Sequence, residues 1–100
     1  MEFVQIIEYR TSKPEEIQAL GDEFRAKREA EGGPGPAQIL VGKDRDQDDV
    51  YLTIVRFPSY EVAMENSRQE DTGELAGKMA ELADGPPTFR NVDVISEWSG

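Results

Sequence analysis

Neither His nor Cys occurs in this chain, and their absence does most to bound its chemistry. Ser-His-Asp triads, His and Cys metal sites, a His haem ligand and thiolate nucleophiles are all removed. Ser12, Ser59, Ser67, Ser96 and Ser99 therefore have no imidazole to activate them. Proton transfer is left to Asp, Glu, Tyr, Lys, water or the substrate itself. Two polar residues sit where such work is possible. Gln5 and Tyr9 alternate with Phe3 and Ile7, so all four share one face of an extended segment. A Tyr there can donate a hydrogen bond or a proton, and a Gln can orient a ligand. The plainer reading makes both of them core-rim residues with satisfied polar ends. Arg56 and Arg90 interrupt otherwise apolar segments. Either can hold an anionic or phenolate group, although paired charges at a sheet margin explain them more simply.

Two further stretches mimic binding motifs. Residues 44–49, Asp-Arg-Asp-Gln-Asp-Asp, carry acids at alternate positions, as calcium loops do. The sixth position is Asp49 and the twelfth is Val55, where such a loop needs Gly and Glu, so an exposed hairpin tip is the better reading. Residues 32–36, Gly-Gly-Pro-Gly-Pro, lack both the Gly-Lys-Ser/Thr and the preceding strand of a phosphate loop. No metal site and no cofactor are expected.

The elements that position these residues are legible from their periodicity. Phe3 to Arg10 reads as a strand. Ser12 and Glu15 fit a capping box, while the competing start puts Pro14 at the first helical position after Lys13. Ile17, Leu20, Phe24 and the stem of Lys27 or Arg28 then share a helical face as far as about Ala30. The Gly/Pro stretch stops that helix. Ala37–Lys43 and Val50–Phe57 read as a hairpin around the acidic turn. Ser59 is a plausible N-cap for a second helix, with Tyr60, Ala63, Met64 and Ser67 on one stripe. Residues 68–72 interrupt it. Leu75, Ala76, Met79 and Leu82 mark the buried face of a further piece, with Gly85 as its C-cap candidate before Pro86 and Pro87. Phe89 to Trp98 is the last strand. The order is β-α-β-β-α-β, the split-βαβ order of ferredoxin-like α+β domains with a four-stranded antiparallel sheet.

With 100 residues, the chain is read as a single domain over 1–100. A formal net charge of −10 argues against nucleic acid or an anionic membrane as partner. The N-terminus lacks the basic start and long apolar run of a signal peptide, and no apolar run approaches the ~20 residues of a membrane helix. Cytoplasmic is the default expectation.

The strands carry a second message. Two helices cover only one face of a four-stranded sheet, and the other should then be polar. It is not. If the helices cover Phe3, Gln5, Ile7 and Tyr9, then Val4 and Ile6 lie on the uncovered face; the reverse choice uncovers Phe3 and Ile7. Val50, Leu52 and Ile54 oppose Tyr51, Val55 and Phe57 in the same way. Several hundred Å² of apolar sheet in water exceeds what soluble monomers usually show. A homodimer paired through the sheet face resolves this with one self-complementary patch.

The first strand leading into Thr11-Ser12-Lys13-Pro14, and the segment Val55-Arg56-Phe57-Pro58-Ser59-Tyr60-Glu61-Val62-Ala63, make the chain resemble dimeric α/β-barrel proteins. The nearest group is that of antibiotic-biosynthesis-monooxygenase-like domains and their uncharacterised actinobacterial-type relatives. The resemblance covers nearly the whole chain. It implies two sheets packed face to face as a barrel, helices outside, and a ligand cavity between each sheet and its helices. It also implies a cavity-facing residue early in the second helix, often His, Trp or Asn; here the matching position is Asn66. An Asn can hold a carbonyl or enolate oxygen through its NH₂, whereas the bland alternative is an Asn suited to a helix end. The haem-binding branches need a His that this chain lacks, and its single Trp, Trp98, is not on the helix. The resemblance therefore implies a cofactor-independent enzyme, monooxygenase- or cyclase-like, acting on a hydrophobic, oxygen-rich small molecule such as a polyketide-type aromatic. A non-catalytic binding or accessory protein is the alternative. Asn66 and Tyr9 are the candidate catalytic residues, with Gln5 and Arg56 as candidate ligand-binding residues.

Overall fold

The computed structural model describes residues 2–32 and 35–99. Gly33 and Pro34 of the expected Gly/Pro loop lie outside the described residues. The elements are β1 (Phe3–Arg10), α1 (Pro14–Glu31), β2 (Gln38–Lys43), β3 (Val50–Phe57), α2 (Tyr60–Ser67), α3 (Glu70–Leu82) and β4 (Thr88–Asp93). They build one four-stranded sheet in the order β2-β3-β1-β4, with every pairing antiparallel. This is the ferredoxin-like arrangement that the element order predicts.

The register decides which face the helices cover. Phe3 pairs with Phe57, Gln5 with Val55, Ile7 with Thr53 and Tyr9 with Tyr51. Phe3, Val55, Phe57 and Ala63 of α2 are buried together, with Val62 and Met64 against them. The helices therefore cover the face of Phe3, Gln5, Ile7 and Tyr9. Phe3 meets Tyr60 edge-on at 5.3 Å between centroids. At the opposite end of β1, Thr11, Ile17 and Val50 are buried. Between these two ends Gln5, Ile7 and Thr53 are only half-buried, as are Leu20 and Phe24 of α1 and Leu75 and Met79 of α3. The layer is thus firmly packed at its ends and looser in the middle.

Thr11 is the knot at the second end. Its side chain is only 2 % exposed. Its hydroxyl donates to the Leu82 carbonyl at 2.7 Å and accepts from the Lys13 backbone N–H at 2.9 Å. Its own backbone N–H donates to the Asp49 carbonyl at 3.0 Å. One residue thereby ties together the end of β1, the start of α1, the end of α3 and the loop before β3.

Several local expectations are corrected. Helix α1 takes the competing start, with Pro14 first after Lys13, and the Ser12–Glu15 capping box does not form; the Thr11 hydroxyl accepts from the Lys13 N–H. Pro14 favours an extended residue before it, so the chain enters the helix at Lys13. Strand β2 begins at Gln38, one residue later than expected. Ser59 does cap α2, its Oγ accepting from Val62 N–H at 3.2 Å. The break between α2 and α3 is confined to Arg68 and Gln69, because Gln69 N–H bonds back to the Asn66 carbonyl in a tightened turn and α3 restarts at Glu70. Gly85 is not the C-cap of α3. The helix ends at Leu82 with extended Ala83 as cap, and Gly85 serves the following loop with φ of +120°. Ala76, expected on the buried face, is exposed. Strand β4 stops at Asp93, not Trp98, because its partner β1 begins at Phe3, opposite Asp93. One further bond, from Val94 N–H to the Glu2 carbonyl, closes the ladder.

Among the described residues no helix is long and apolar enough to cross a membrane. Two carboxylates of the acidic loop between β2 and β3 have partners, one within the loop and one on β1. Asp44 accepts from Asp46 N–H at 2.8 Å, and Asp49 holds Arg10 at 3.0 and 3.1 Å.

Two stability predictions follow from these contacts. Thr11→Val leaves the Leu82 carbonyl and the Lys13 N–H without a partner, and should cost about 1–3 kcal/mol in urea unfolding. Thr11→Ser keeps both bonds and should cost about 1 kcal/mol or less. Gly21 lies in the interior of α1, where an added Cβ would meet Met79 Cε of α3 at 4.0 Å, an ordinary contact. Gly21→Ala should therefore stabilise the fold by about 0.5–1 kcal/mol, read as a higher urea midpoint at unchanged slope.

Candidate functional site

The antiparallel register that sets Phe3 against Phe57 also sets Tyr9 against Tyr51. Their rings stack at 6.1 Å between centroids and 20° between planes. The first turns of α1 pass over this pair, because Thr11 and Pro14 turn the chain straight from β1 into the helix. The result is a groove of about 220 Å³ lined by Tyr9, Tyr51, Val41, Pro14, Glu15 and Gln18. It has two aromatic faces, two aliphatic walls, and polar groups at its rim. This is the composition of a site for a flat apolar ligand that carries a few oxygens. The volume suits one or two rings, so a larger molecule would extend out of it.

A larger cleft of about 340 Å³ lies at the other end of α1, lined by Lys27, Arg28, Glu31, Gly32, Gln69, Glu70 and Glu74. Its walls are charged and open to water, which disfavours an apolar guest. Arg28 is the organising residue here. Its guanidinium lies 4.8 Å over the Phe24 ring and donates to Asn66 Oδ1 at 2.6 Å and to Thr72 Oγ1 at 3.0 Å. Arginine only donates, so the contact fixes the Asn66 amide with its oxygen toward Arg28 and its NH₂ as the remaining donor. Asn66 also sits in the last turn of α2, so its ligand and helix-end readings coexist in one place.

The four residues singled out from the sequence are therefore distributed. Tyr9 lines the groove. Gln5 lies on the same sheet face, and its Nε2 donates to Asn91 Oδ1 of β4 at 3.2 Å. Asn66 is met by Arg28, ten residues along α1 from Gln18, or about 15 Å along the helix axis. Tyr9 and Asn66 thus do not share one pocket. Arg56 pairs with Val4, so it lies on the opposite, uncovered face. Its Nε donates to Glu2 at 2.6 Å, and Glu97 takes a second arm. Those two carboxylates hold its pKa above the ordinary arginine value. The paired-charge reading is the one its surroundings match. Arg90 also lies on the uncovered face and is exposed.

Sequence reasoning missed Tyr51, Glu15, Gln18 and Val41 as groove residues. Tyr51 was within reach, since any antiparallel register that joins Phe3 to Phe57 carries Tyr9 to Tyr51. Glu15 and Gln18 carried no such signal, because their places depend on how α1 lies over the sheet.

No protein-family model and no curated protein matches the chain. Solved structures do. A proposed antibiotic biosynthesis monooxygenase from Caulobacter crescentus CB15 superposes with a TM-score of 0.80 at 14% identity, over 95% of this chain and 91% of that one. SnoaB, a cofactor-independent oxygenase from Streptomyces nogalater, gives 0.79 at 14% identity, over 96% and 95%. Rv0793 from Mycobacterium tuberculosis gives 0.78 at 16% identity, over 99% and 100%. This chain has the fold of the antibiotic-biosynthesis-monooxygenase-like proteins.

Proposed function

We propose that this protein is a small cofactor-independent enzyme, monooxygenase- or cyclase-like, acting on a hydrophobic, oxygen-rich aromatic of polyketide type. The observation that carries the reading is the groove at the Tyr9–Tyr51 stack under the start of α1. Its walls offer aromatic faces to a planar ring, and the Tyr hydroxyls and Gln18 offer donors to ring oxygens. The fold it shares with SnoaB, a cofactor-independent oxygenase, supports the same reaction class.

In such a reaction an electron-rich phenolate or enolate reacts with O₂ directly. The protein binds the ring, stabilises the oxyanion and excludes water. Tyr9 is a donor in the groove. Glu15 at the rim is the carboxylate best placed to accept the phenolic proton. Asn66, its amide oriented by Arg28, is a donor for an oxyanion at the far end of a ligand lying along α1. A structure of SnoaB with one asparagine replaced by alanine shows that an asparagine was singled out in that protein as well.

The working unit we propose is a homodimer joined through the uncovered sheet face. Val4, Ile6, Leu52 and Ile54 lie there half-exposed, with Leu40 at 53 % exposure and Val92 beside β1. That apolar surface supports the pairing.

The test is oxygen uptake with a hydroxylated anthrone or naphthol, with product identified by mass spectrometry. The proposal expects protein-dependent O₂ consumption, reduced tenfold or more by Tyr9→Phe, and reduced by Asn66→Ala only for a ligand long enough to reach from the groove to that residue. Turnover that is unaltered in both variants would defeat the residue assignment. Saturable binding of the ligand without any change in its mass would instead establish the binding-protein reading.

A further inference from the structure

Lys43 is not among the residues that line the groove, yet the sheet register sets it alongside. It pairs with Tyr51, which in turn pairs with Tyr9. Directly opposed residues of antiparallel strands point to one face, with Cβ atoms about 5 Å apart. Lys43 therefore stands in line with the two stacked tyrosines, on the outer side of Tyr51. Val41, two residues back along β2 and on the same face, is a wall of the groove. A four-carbon stem is long enough to carry the ammonium from that position to the groove mouth.

The charge pattern singles this lysine out. The other cations of the strands, Arg10, Arg56 and Arg90, pair with Val50, Val4 and Ile6 and so lie on the opposite face. Two of them are bound by carboxylates, Arg10 by Asp49 and Arg56 by Glu2 and Glu97. The Lys43 ammonium has no hydrogen-bond or ion-pair partner among the described residues, although Asp44, Asp46, Asp48 and Asp49 follow it in the chain. Asp44 is engaged by Asp46 N–H, and Asp49 by Arg10. A lysine on an edge strand can serve only to keep other sheets away. That role does not call for a place in an aromatic row beside a groove.

We propose that Lys43 is the counter-ion of the bound ligand, its ammonium donating to the oxygen of a phenolate whose ring lies against Tyr9 and Tyr51. The inference rests on the groove reading given above and deepens it by naming the ligand class: a phenol held as its anion. A free carboxylate and a free phenol differ by about six pKa units, so proton transfer from the ligand to Glu15 is uphill unless the phenolate is stabilised. The Tyr hydroxyls and Gln18 are neutral donors, and a charged donor contributes roughly twice as much per contact. In the step, the ligand O–H bond breaks, the proton passes to the Glu15 carboxylate, and the electron pair stays on the ligand oxygen, facing Lys43. Glu15 comes from α1 and Lys43 from β2, so base and counter-ion belong to different walls. Tyr9 of β1 and Tyr51 of β3 are the other titratable groups beside that oxygen.

The test uses 4-nitro-1-naphthol, whose phenolate absorbs visible light, and its methyl ether, which has no proton to lose. Both are titrated into wild type, Lys43→Met, which keeps the stem without the charge, and Lys43→Arg, which keeps the charge. The bound naphthol should titrate about one pKa unit or more lower in wild type than in Lys43→Met, equivalent to phenolate binding about tenfold tighter. Lys43→Arg should restore most of that difference, and the ether should bind all three proteins alike. Tyr51→Leu should weaken naphthol and ether together. Equal naphthol pKa values in wild type and Lys43→Met, with Tyr51→Leu still weakening both probes, would overturn the role of Lys43 and leave the groove standing. Binding of neither probe, or binding indifferent to Tyr51→Leu, would overturn the groove reading and this inference with it.

Discussion

The whole structure depends on one geometric constraint: helices on a single side of a four-stranded sheet. Sequence places α1 and the α2–α3 pair after β1 and β3, and the antiparallel register sends both to the same face. That face gains its core from Phe3, Val55, Phe57 and Ala63 at one end, and from Ile17 and Thr11 at the other. The opposite face is left with Val4, Ile6, Leu40, Leu52, Ile54 and Val92, and no helix among the described residues covers them. Both the proposed ligand groove and the proposed assembly are consequences. The groove lies beside the Thr11 end of the covered side, where the start of α1 passes over Tyr9 and Tyr51. The proposed assembly answers to the other side, which is apolar.

Thr11 shows how a small polar residue can carry the covered side. Hydrophobic burial is non-directional, so it does not fix how α1 and α3 lie over the sheet. Three hydrogen bonds from one buried Thr do, joining segments up to seventy-one positions apart. Their geometry also sets where α1 crosses Tyr9 and Tyr51, and hence the shape of the groove. Stability and the candidate site are coupled through that residue. At the other end of α1, Arg28 does similar work, drawing Asn66 and Thr72 toward the helix.

What could be read in the sequence was whatever depends on local pattern. The bounds of β1 and β3, the Ser59 cap and the side-by-side apolar faces follow from alternation and side-chain chemistry over a few residues. What could not be read depends on tertiary partners. Strand β4 ends at Asp93, opposite the first residue of β1, Phe3, which the β-prone residues up to Trp98 do not reveal. Helix α3 ends at Leu82, whose carbonyl accepts from the Thr11 hydroxyl, and Gly85 serves a loop. Tyr9 and Asn66 fall at opposite ends of α1 because the helix runs about 27 Å over the sheet, and a list of candidate residues contains no such length. Arg56 read either as an anion-binding group or, more simply, as a paired charge at a sheet margin; its partners, Glu2 and Glu97, are far from it in sequence.

The central claim is that a second copy covers the uncovered sheet face. It is tested most directly by nuclear Overhauser contacts in a dimer mixed from isotope-labelled and unlabelled chains, which isolate contacts between protomers. The account predicts intermolecular contacts among the methyl groups of Val4, Ile6, Leu40, Leu52 and Ile54. Intermolecular contacts confined to residues of α1 and α3, with those methyl groups in contact only with water, would contradict it.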